Sequence, residues 1–321
     1  LICGALLGTI TPEKAIALTV SPVRIEREVD PGTTFSDKIS LQNDKSETQT
    51  YYIQFRNFES QGESGQPVFT TNNSGLASWM SAVKSVTVAP KEWKDVNLEI
   101  TVPQDADPGG YTAAIFGTTL APDIQGNSEV GVESDVGALV LLRVKGNFEQ
   151  GATILDFKTT NTEKTPRSLP VDFSFRFQNI GDSWVKPIGD ITIKNIFGRT
   201  SKLVPANPAG SNVLSKSIRK FETSWLTSSG GSAQDPKAER PPAIPQGFWN
   251  KVKHEWKYFA LGRYTANLSL TYNNDTSTTT AAKTTFWVMP WHLLAVIAAG
   301  LAVLIGIITL IVVTIVVIVL K

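Results

Sequence analysis

The chain has 321 residues, enough for two domains of ordinary size, and its 18% charged residues carry a formal net charge of +1. That balance argues against a nucleic-acid-binding surface or an acidic tail. One Cys and two His leave little for a zinc cluster or a thiol nucleophile, while 24 Gly and 18 Pro, with abundant Thr, Val and Ile, point to turn-rich β-structure.

Residues 1–17, LICGALLGTITPEKAIA, are an apolar run followed by Pro12 and then Ala15-Ile16-Ala17. This is the pattern of a secretory signal, with processing expected after Ala17. No Met or basic start precedes Leu1, so residues are expected to be missing ahead of it. The alternative, a buried first strand, competes with LTVSPVRIE directly after it, which already reads as strand 1. Cys3 lies in this segment, so the exported part is expected to hold together without disulfides. A lipid anchor on Cys3 is disfavoured by Ile2, where such signals want a small residue.

Residues 18–149 read as short alternating strands between turn signals. Phe35, Ile39 and Leu41 share one face, as do Tyr51, Ile53 and Phe55. VNLEITVP places Val96, Leu98, Ile100 and Val102 inward, with Asn97, Glu99 and Thr101 outward. Turns are expected at Pro31-Gly32, Asn43-Asp44, Asn72 to Gly75 and Asp107-Pro108-Gly109. No helix is expected here, and the spacing predicts an antiparallel sandwich.

Residues 150–289 repeat the pattern. VDFSFRFQN puts Val171, Phe173, Phe175 and Phe177 on one face, and RYTANLSLTY puts Tyr264, Ala266, Leu268, Leu270 and Tyr272 inward. A Ser/Gly/Pro-rich stretch near 227–247 reads as a mobile loop. Two echoes link the halves. Gly-x-Tyr-Thr-Ala occurs at 109–113 and again at 262–266, and a strand ends in Gln-Asn at 42–43 and at 178–179. The first pair lies 153 positions apart and the second 136, a difference close to the length of that loop. Two sandwiches of one form, the second carrying an insertion, explain both spacings. The repeated Tyr then reads as a structural corner.

Residues 290–321 differ in kind. From Leu293 to Leu320 no residue is charged, and about 20 apolar residues cross a bilayer as a helix. Trp287 and Trp291 sit where rings favour the membrane interface, and Lys321 follows. With the signal segment this predicts a type I layout in the plasma membrane, residues 18–290 outside. Ala298, Ala302 and Gly306 recur at a spacing that permits close helix packing, a frequent coincidence in Ala-rich spans.

Reactive constellations are scarce, so an enzyme is not expected, and neither is a cofactor or a metal. His254 and His292 are the sole histidines; Ser81–Lys84 and Ser217–Lys220 match Ser-x-x-Lys without its partner motifs. Asp105 and Asp107, with Glu129, Glu133 and Asp135, offer oxygens for calcium but no complete ligand loop. Asp-Pro-Gly is first a turn. Trp79, Trp93, Trp184, Trp225, Trp249 and Trp256 all lie in the exported part; exposed rings suit sugars, whereas most Trp in a sandwich is core. FWNKVKHEWKYF spaces Phe248, Val252, Trp256 and Phe259 helically beside Lys251, Lys253 and Lys257. It reads either as an amphipathic helix on lipid headgroups or anionic polymer, or as a cover on the second sandwich.

The order LTVSPVRIEREVDPGTTFSDKISLQN, then NSGLASWMSAVKSVTVAPKEWKDVNLEITVPQDADPGGYTAAIFG, resembles the first domain of WxL-interacting bacterial cell-surface proteins. FQNIGDSWVKPIGDITIKNIFG, GRYTANLSLTY and FWVMPW are similar to the second domain and pre-membrane segment of that family. The resemblance implies a signal peptide, two immunoglobulin-like sandwiches (18–149 and 150–289) and one transmembrane helix. It also implies binding to peptidoglycan or to other envelope proteins. The single Lys after the span departs from the family's basic tail. The first domain also resembles the N-terminal sandwich of periplasmic pilus chaperones, in which an Arg on the first strand anchors a client's carboxylate and the client adds a strand. Arg24 stands in a comparable place; a solvated edge charge is the alternative. Arg24, Trp79 and Trp93 are therefore the candidate ligand-binding residues.

Overall fold

A computed structural model describes residues 18–70, 74–119, 136–160, 168–226, 245–272 and 275–320, with the backbone alone for 275–279. The expected signal segment with Cys3, loop residues 227–244, and the carboxylates at 129, 133 and 135 lie outside the described residues. The chain divides into two compact units, Leu1–Ser60 with Pro67–Phe148, and Gln61–Gln66 with Glu149–Lys321. Both are immunoglobulin-like β-sandwiches, and the second continues into an apolar helix.

In chain order the first unit contains β1 (Leu18–Ser21), β2 (Arg24–Val29), β3 (Thr34–Asn43), β4 (Gln49–Ser60), β5 (Pro67–Phe69) and the one-turn α1 (Leu76–Trp79). Then follow β6 (Met80–Ala82), β7 (Ser85–Val88), β8 (Trp93–Thr101), β9 (Gly109–Thr118) and β10 (Val136–Val144). One sheet runs β1-β3-β8-β6; the other runs β2-β10-β9-β4-β5, with β7 also on β4. Alternation puts Ile39, Leu41, Val96, Leu98 and Ile100 on the inner face of the first sheet. They meet Tyr51, Ala113, Ile115, Val140 and Leu142 from the second.

Two local expectations need correction. LTVSPVRIE is not one strand: β1 pairs antiparallel with β3 and β2 parallel with β10, so the chain changes sheet at Pro22. Proline has no N–H to give a ladder, and the strand breaks there. The helix-free reading of this half also missed α1, where Leu76 and Ala77 are buried and Ala77 N–H is held by Asn57 Oδ1 at 2.9 Å. A single turn is too short to show helical periodicity.

The second unit contains β11 (Ala152–Thr159), β12 (Asp172–Asn179), β13 (Ile188–Asn195), β14 (Thr200–Pro205), β15 (Ile218–Ser224) and α2 (Phe248–Lys257). After these come β16 (Gly262–Tyr272), β17 (Asp275–Val288) and α3 (Trp291–Val319). Its sheets are β11-β12-β15 and β14-β13-β16-β17. Phe173, Phe175 and Phe177, all fully buried, face Ile191, Ile193, Ala266 and Leu268. Aromatic edges lock the two layers: Phe173 lies 5.5 Å from Phe286, Trp225 4.9 Å from Tyr264 and Phe177 6.0 Å from Tyr272. Gln61–Gln66 belongs to this unit; Lys220 N–H donates to Glu63 O at 2.8 Å, and Arg176 Nε donates to both Glu63 carboxylate oxygens at 2.9 Å.

Both sequence echoes have a structural cause. Gly109 and Gly262 start their strands at φ 147° and 106°, values that favour glycine. Two residues on, Tyr111 hydroxyl donates to Asp107 O at 2.9 Å and Tyr264 hydroxyl to Leu261 O at 3.4 Å, a tyrosine corner in each sandwich. Asn43 and Asn179, both fully buried, end corresponding strands with the same bonds. Each Oδ1 accepts the N–H two residues on, from Lys45 and Gly181, and each Nδ2 donates to the carbonyl four residues on, Glu47 and Ser183. A cross-link to Val88 O or Val213 O completes each.

α2 touches the second sandwich through His254 and fastens α3, while Phe248, Trp256 and Phe259 of its expected apolar set are exposed. His254 Nε2 donates to Leu169 O at 2.7 Å. Next to it Glu255, 2% exposed, accepts His292 Nδ1 and the backbone N–H of Leu293, each at 2.7 Å. A carboxylate thus satisfies an open N–H in the first turn of α3, where the helix dipole favours negative charge. Beyond that turn α3 is apolar on every side, and Thr309 and Thr314 turn their hydroxyls onto the carbonyls of Ile305 and Leu310. With 29 residues it is long and apolar enough to cross a membrane.

Candidate functional site

The outer face of the β1-β3-β8-β6 sheet follows from strand parity. Val96, Leu98 and Ile100 point in, so the odd positions of β8 point out, Trp93 among them. Trp93 is 45% exposed and stands opposite Gln42. The next outward position, Asp95, lies opposite Ser40 and accepts Ser40 Oγ at 2.6 Å and Lys38 Nζ at 2.9 Å. These two partners, the hydroxyl first and the ammonium second, hold the Asp95 carboxyl below the usual carboxylate range. Asn97 completes the row opposite Lys38. An exposed indole beside a fixed carboxylate and two primary amides can stack on an apolar sugar face and hydrogen-bond its hydroxyls.

Trp79 lies elsewhere. It ends α1, is half-buried against the core, and its ring sits 4.5 Å from that of Tyr111. Arg24 opens β2, the end strand of its sheet, and its Nε pairs with Glu26 at 2.8 Å. Among the described residues β2 has a ladder partner on one side only, β10. The structure therefore does not gather Arg24, Trp79 and Trp93 into one site: they sit on an edge strand, a core-facing turn and an outer sheet face. Of the other Trp in the exported part, Trp225 is core, Trp184 is half-buried, and Trp249, Trp256 and Trp287 are exposed.

A second surface was missed in the sequence. The outer face of β13, β16 and β17 forms a shallow groove of about 450 Å³ lined by Lys194, Asn195, Arg263, Asn267, Lys283 and Thr285 among others, with no carboxylate. Among the described residues none of its three cations is in an ion pair. Cross-strand register builds it: Lys194 lies opposite Thr265, and Asn267 opposite Lys283. The only hint in the sequence is that Arg263, Thr265 and Asn267 share the outward parity of β16.

The weaker chemical candidates are occupied by structure. Both histidines serve the α2 and α3 contacts, Ser217 Oγ donates to Leu214 O, and Lys220 pairs with Glu222. Among the described residues no cluster of three or more His, Cys, Asp or Glu could hold a metal.

No family model matches the chain, and no curated protein matches it. Among solved structures it is similar to the class 5 fimbriae chaperone CfaA, at 11% identity and a TM-score of 0.38, over 83% of this chain and 98% of that one. A chaperone–tip adhesin complex of CFA/I fimbriae gives 12% and 0.37, over 83% and 97%. The CsuC–CsuE pre-assembly complex of Acinetobacter baumannii gives 12% and 0.34, over 64% and 89%. Likeness at this level carries no function from those proteins to this one.

Proposed function

We propose that the chain is a membrane-anchored, extracytoplasmic binding protein of the bacterial cell envelope, of the WxL-interacting type. In this reading α3 crosses the plasma membrane once, both sandwiches lie outside, and the first sandwich takes a wall glycan, peptidoglycan, on its Trp93 face. The observation that carries the reading is Trp93 itself, an indole exposed on a sheet face between Gln42 and the fixed Asp95. The size and apolarity of α3 support the anchor. The test is co-sedimentation of the detergent-solubilised full chain with purified peptidoglycan, competed by soluble wall fragments. Saturable, competed retention is expected; passage of the whole sample into the supernatant contradicts the reading.

A second reading, a membrane-tethered assembly factor acting by strand addition, is favoured by one observation. β2 is an end strand, and Arg24 stands at its start. Photocrosslinking from Val23, which is 66% exposed beside that edge, distinguishes it. A strand-adding client gives adducts confined to one segment, lost on Arg24→Ala; a glycan binder gives none.

A further inference from the structure

Every exposed Phe or Trp among the described residues of the second sandwich lies at one end of it, the end from which α3 departs. Register places them. Asn195 is level with Tyr264 and Phe286, and Gly262 is level with Val288. The turn after β13, carrying Ile196 and Phe197 (69% and 83% exposed), is therefore level with Leu261 and Trp287. Trp249, Trp256 and Phe259 join them from α2 and the residues after it, and Trp291 from α3. Glu255 ties α2 to the first turn of α3 through His292 and Leu293, so these rings stand at a fixed height relative to the start of the apolar helix.

Among the described residues cations outnumber carboxylates in the segments that carry these rings, with Asp172 opening β12 at the same end. Arg199, Lys251, Lys253, Lys257 and Arg263 surround the rings, and the one carboxylate in α2, Glu255, is buried and committed to α3. Arg263, opposite Trp287, also lines the basic groove. Rings at the apolar boundary with cations beside them match the layered chemistry of a bilayer surface, acyl boundary below and phosphate above.

We infer that this end of the second sandwich is a lipid-binding surface, seated on the anionic phospholipid headgroups of the bilayer that α3 crosses. The inference rests on α3 being a membrane span. The sandwich lies on the membrane through α2 and the Ile196-Phe197 turn, and does not swing on a free stalk.

The test uses the full chain, with Cys3→Ser, reconstituted into phosphatidylcholine vesicles with or without about 30% phosphatidylglycerol. Single cysteines replace Asn250, Ile196, Ile188 or Thr309 and carry an environment-sensitive fluorophore; lipids bear nitroxide quenchers at the headgroup or mid-chain. Ile188, at the far end of β13, is the control, and Thr309 reports on the span. Headgroup quenching at 250 and 196 is expected to exceed that at 188 at least about twofold, and to rise with phosphatidylglycerol. Replacing Lys251, Lys253 and Lys257 together by Gln is expected to remove the rise. Quenching at 309 with none at 250 or 196 overturns the inference and leaves the span standing. No quenching at 309 removes both. Shielding of 250 and 196 that depends on protein concentration and not on lipid assigns the surface to a second copy and overturns the inference, as does equal quenching with and without phosphatidylglycerol.

Discussion

Asn179 shows how a single side chain can hold a turn. Its amide, fully buried, donates to the Ser183, Val213 and Leu214 carbonyls and accepts Gly181 N–H. Asn179→Ala strands these groups and is expected to cost about 3 kcal/mol, several unmet buried bonds at 1–3 kcal/mol each with partial relief by water. Chemical denaturation of the full chain in detergent reads this as a lower midpoint. Gly262→Ala tests a different cause. Nothing lies within 4 Å of the added Cβ, so the backbone angle of 106° acts alone. A loss of about 1 kcal/mol is expected from the strain of holding an L-residue there. At Asp95 the expected change is in titration. Its pKa is lowered in the folded chain, so its contribution is fully present above the unfolded carboxylate pKa and is lost as pH falls through the folded one. Ser40→Ala removes the largest cause, and carboxyl-carbon NMR should show the Asp95 midpoint move up toward the ordinary value. An unmoved midpoint contradicts the assigned cause.

The elements differ in how far local sequence specifies them. Alternation in β8, β12 and β16 announces both the strand and its inner face, because one side must be apolar over the whole length. Phe175→Ala in β12, where the side chain is fully buried and stacked 5.0 Å from Phe221, is expected to cost about 3–5 kcal/mol in the same denaturation assay. Pairing is different. β2 meets β10 across 115 positions, and nothing within either strand names the other. The basic groove is hidden for the same reason: Lys194, Arg263 and Lys283 become neighbours only through register. The outward parity of Asn97 was legible, while the exposure of Trp93 and its neighbours Gln42 and Ser40 were not. The amphipathic spacing of α2 left two readings open, and its buried Glu255 belonged to neither, since its partner lies 38 positions downstream. Glu255→Ala is expected to leave the Leu293 N–H unpaired and to speed hydrogen exchange in α2 and the first turn of α3 by about tenfold or more. The exchange rates of β12 should not change. Unchanged protection in α2 would show that the contact carries no coupling.

At the scale of the whole chain, the two sandwiches share a scheme of corners and buried amides and differ in what they expose. The first sandwich offers a sheet face with one free indole among hydrogen-bonding groups. The second gathers its exposed Phe and Trp rings, with several cations beside them, where the apolar helix begins. Under the function proposed above, the first unit binds outward and the second is held at the membrane. The proposed wall binding turns on Trp93, and the direct measurement is the peptidoglycan dissociation constant of the detergent-solubilised full chain, compared with Trp93→Ala and with Trp249→Ala. Trp93→Ala is expected to weaken binding at least about tenfold, or ~1.4 kcal/mol, with its unfolding midpoint unchanged and Trp249→Ala binding like the parent chain. Equal affinity of Trp93→Ala and the parent chain would contradict the assignment of this face.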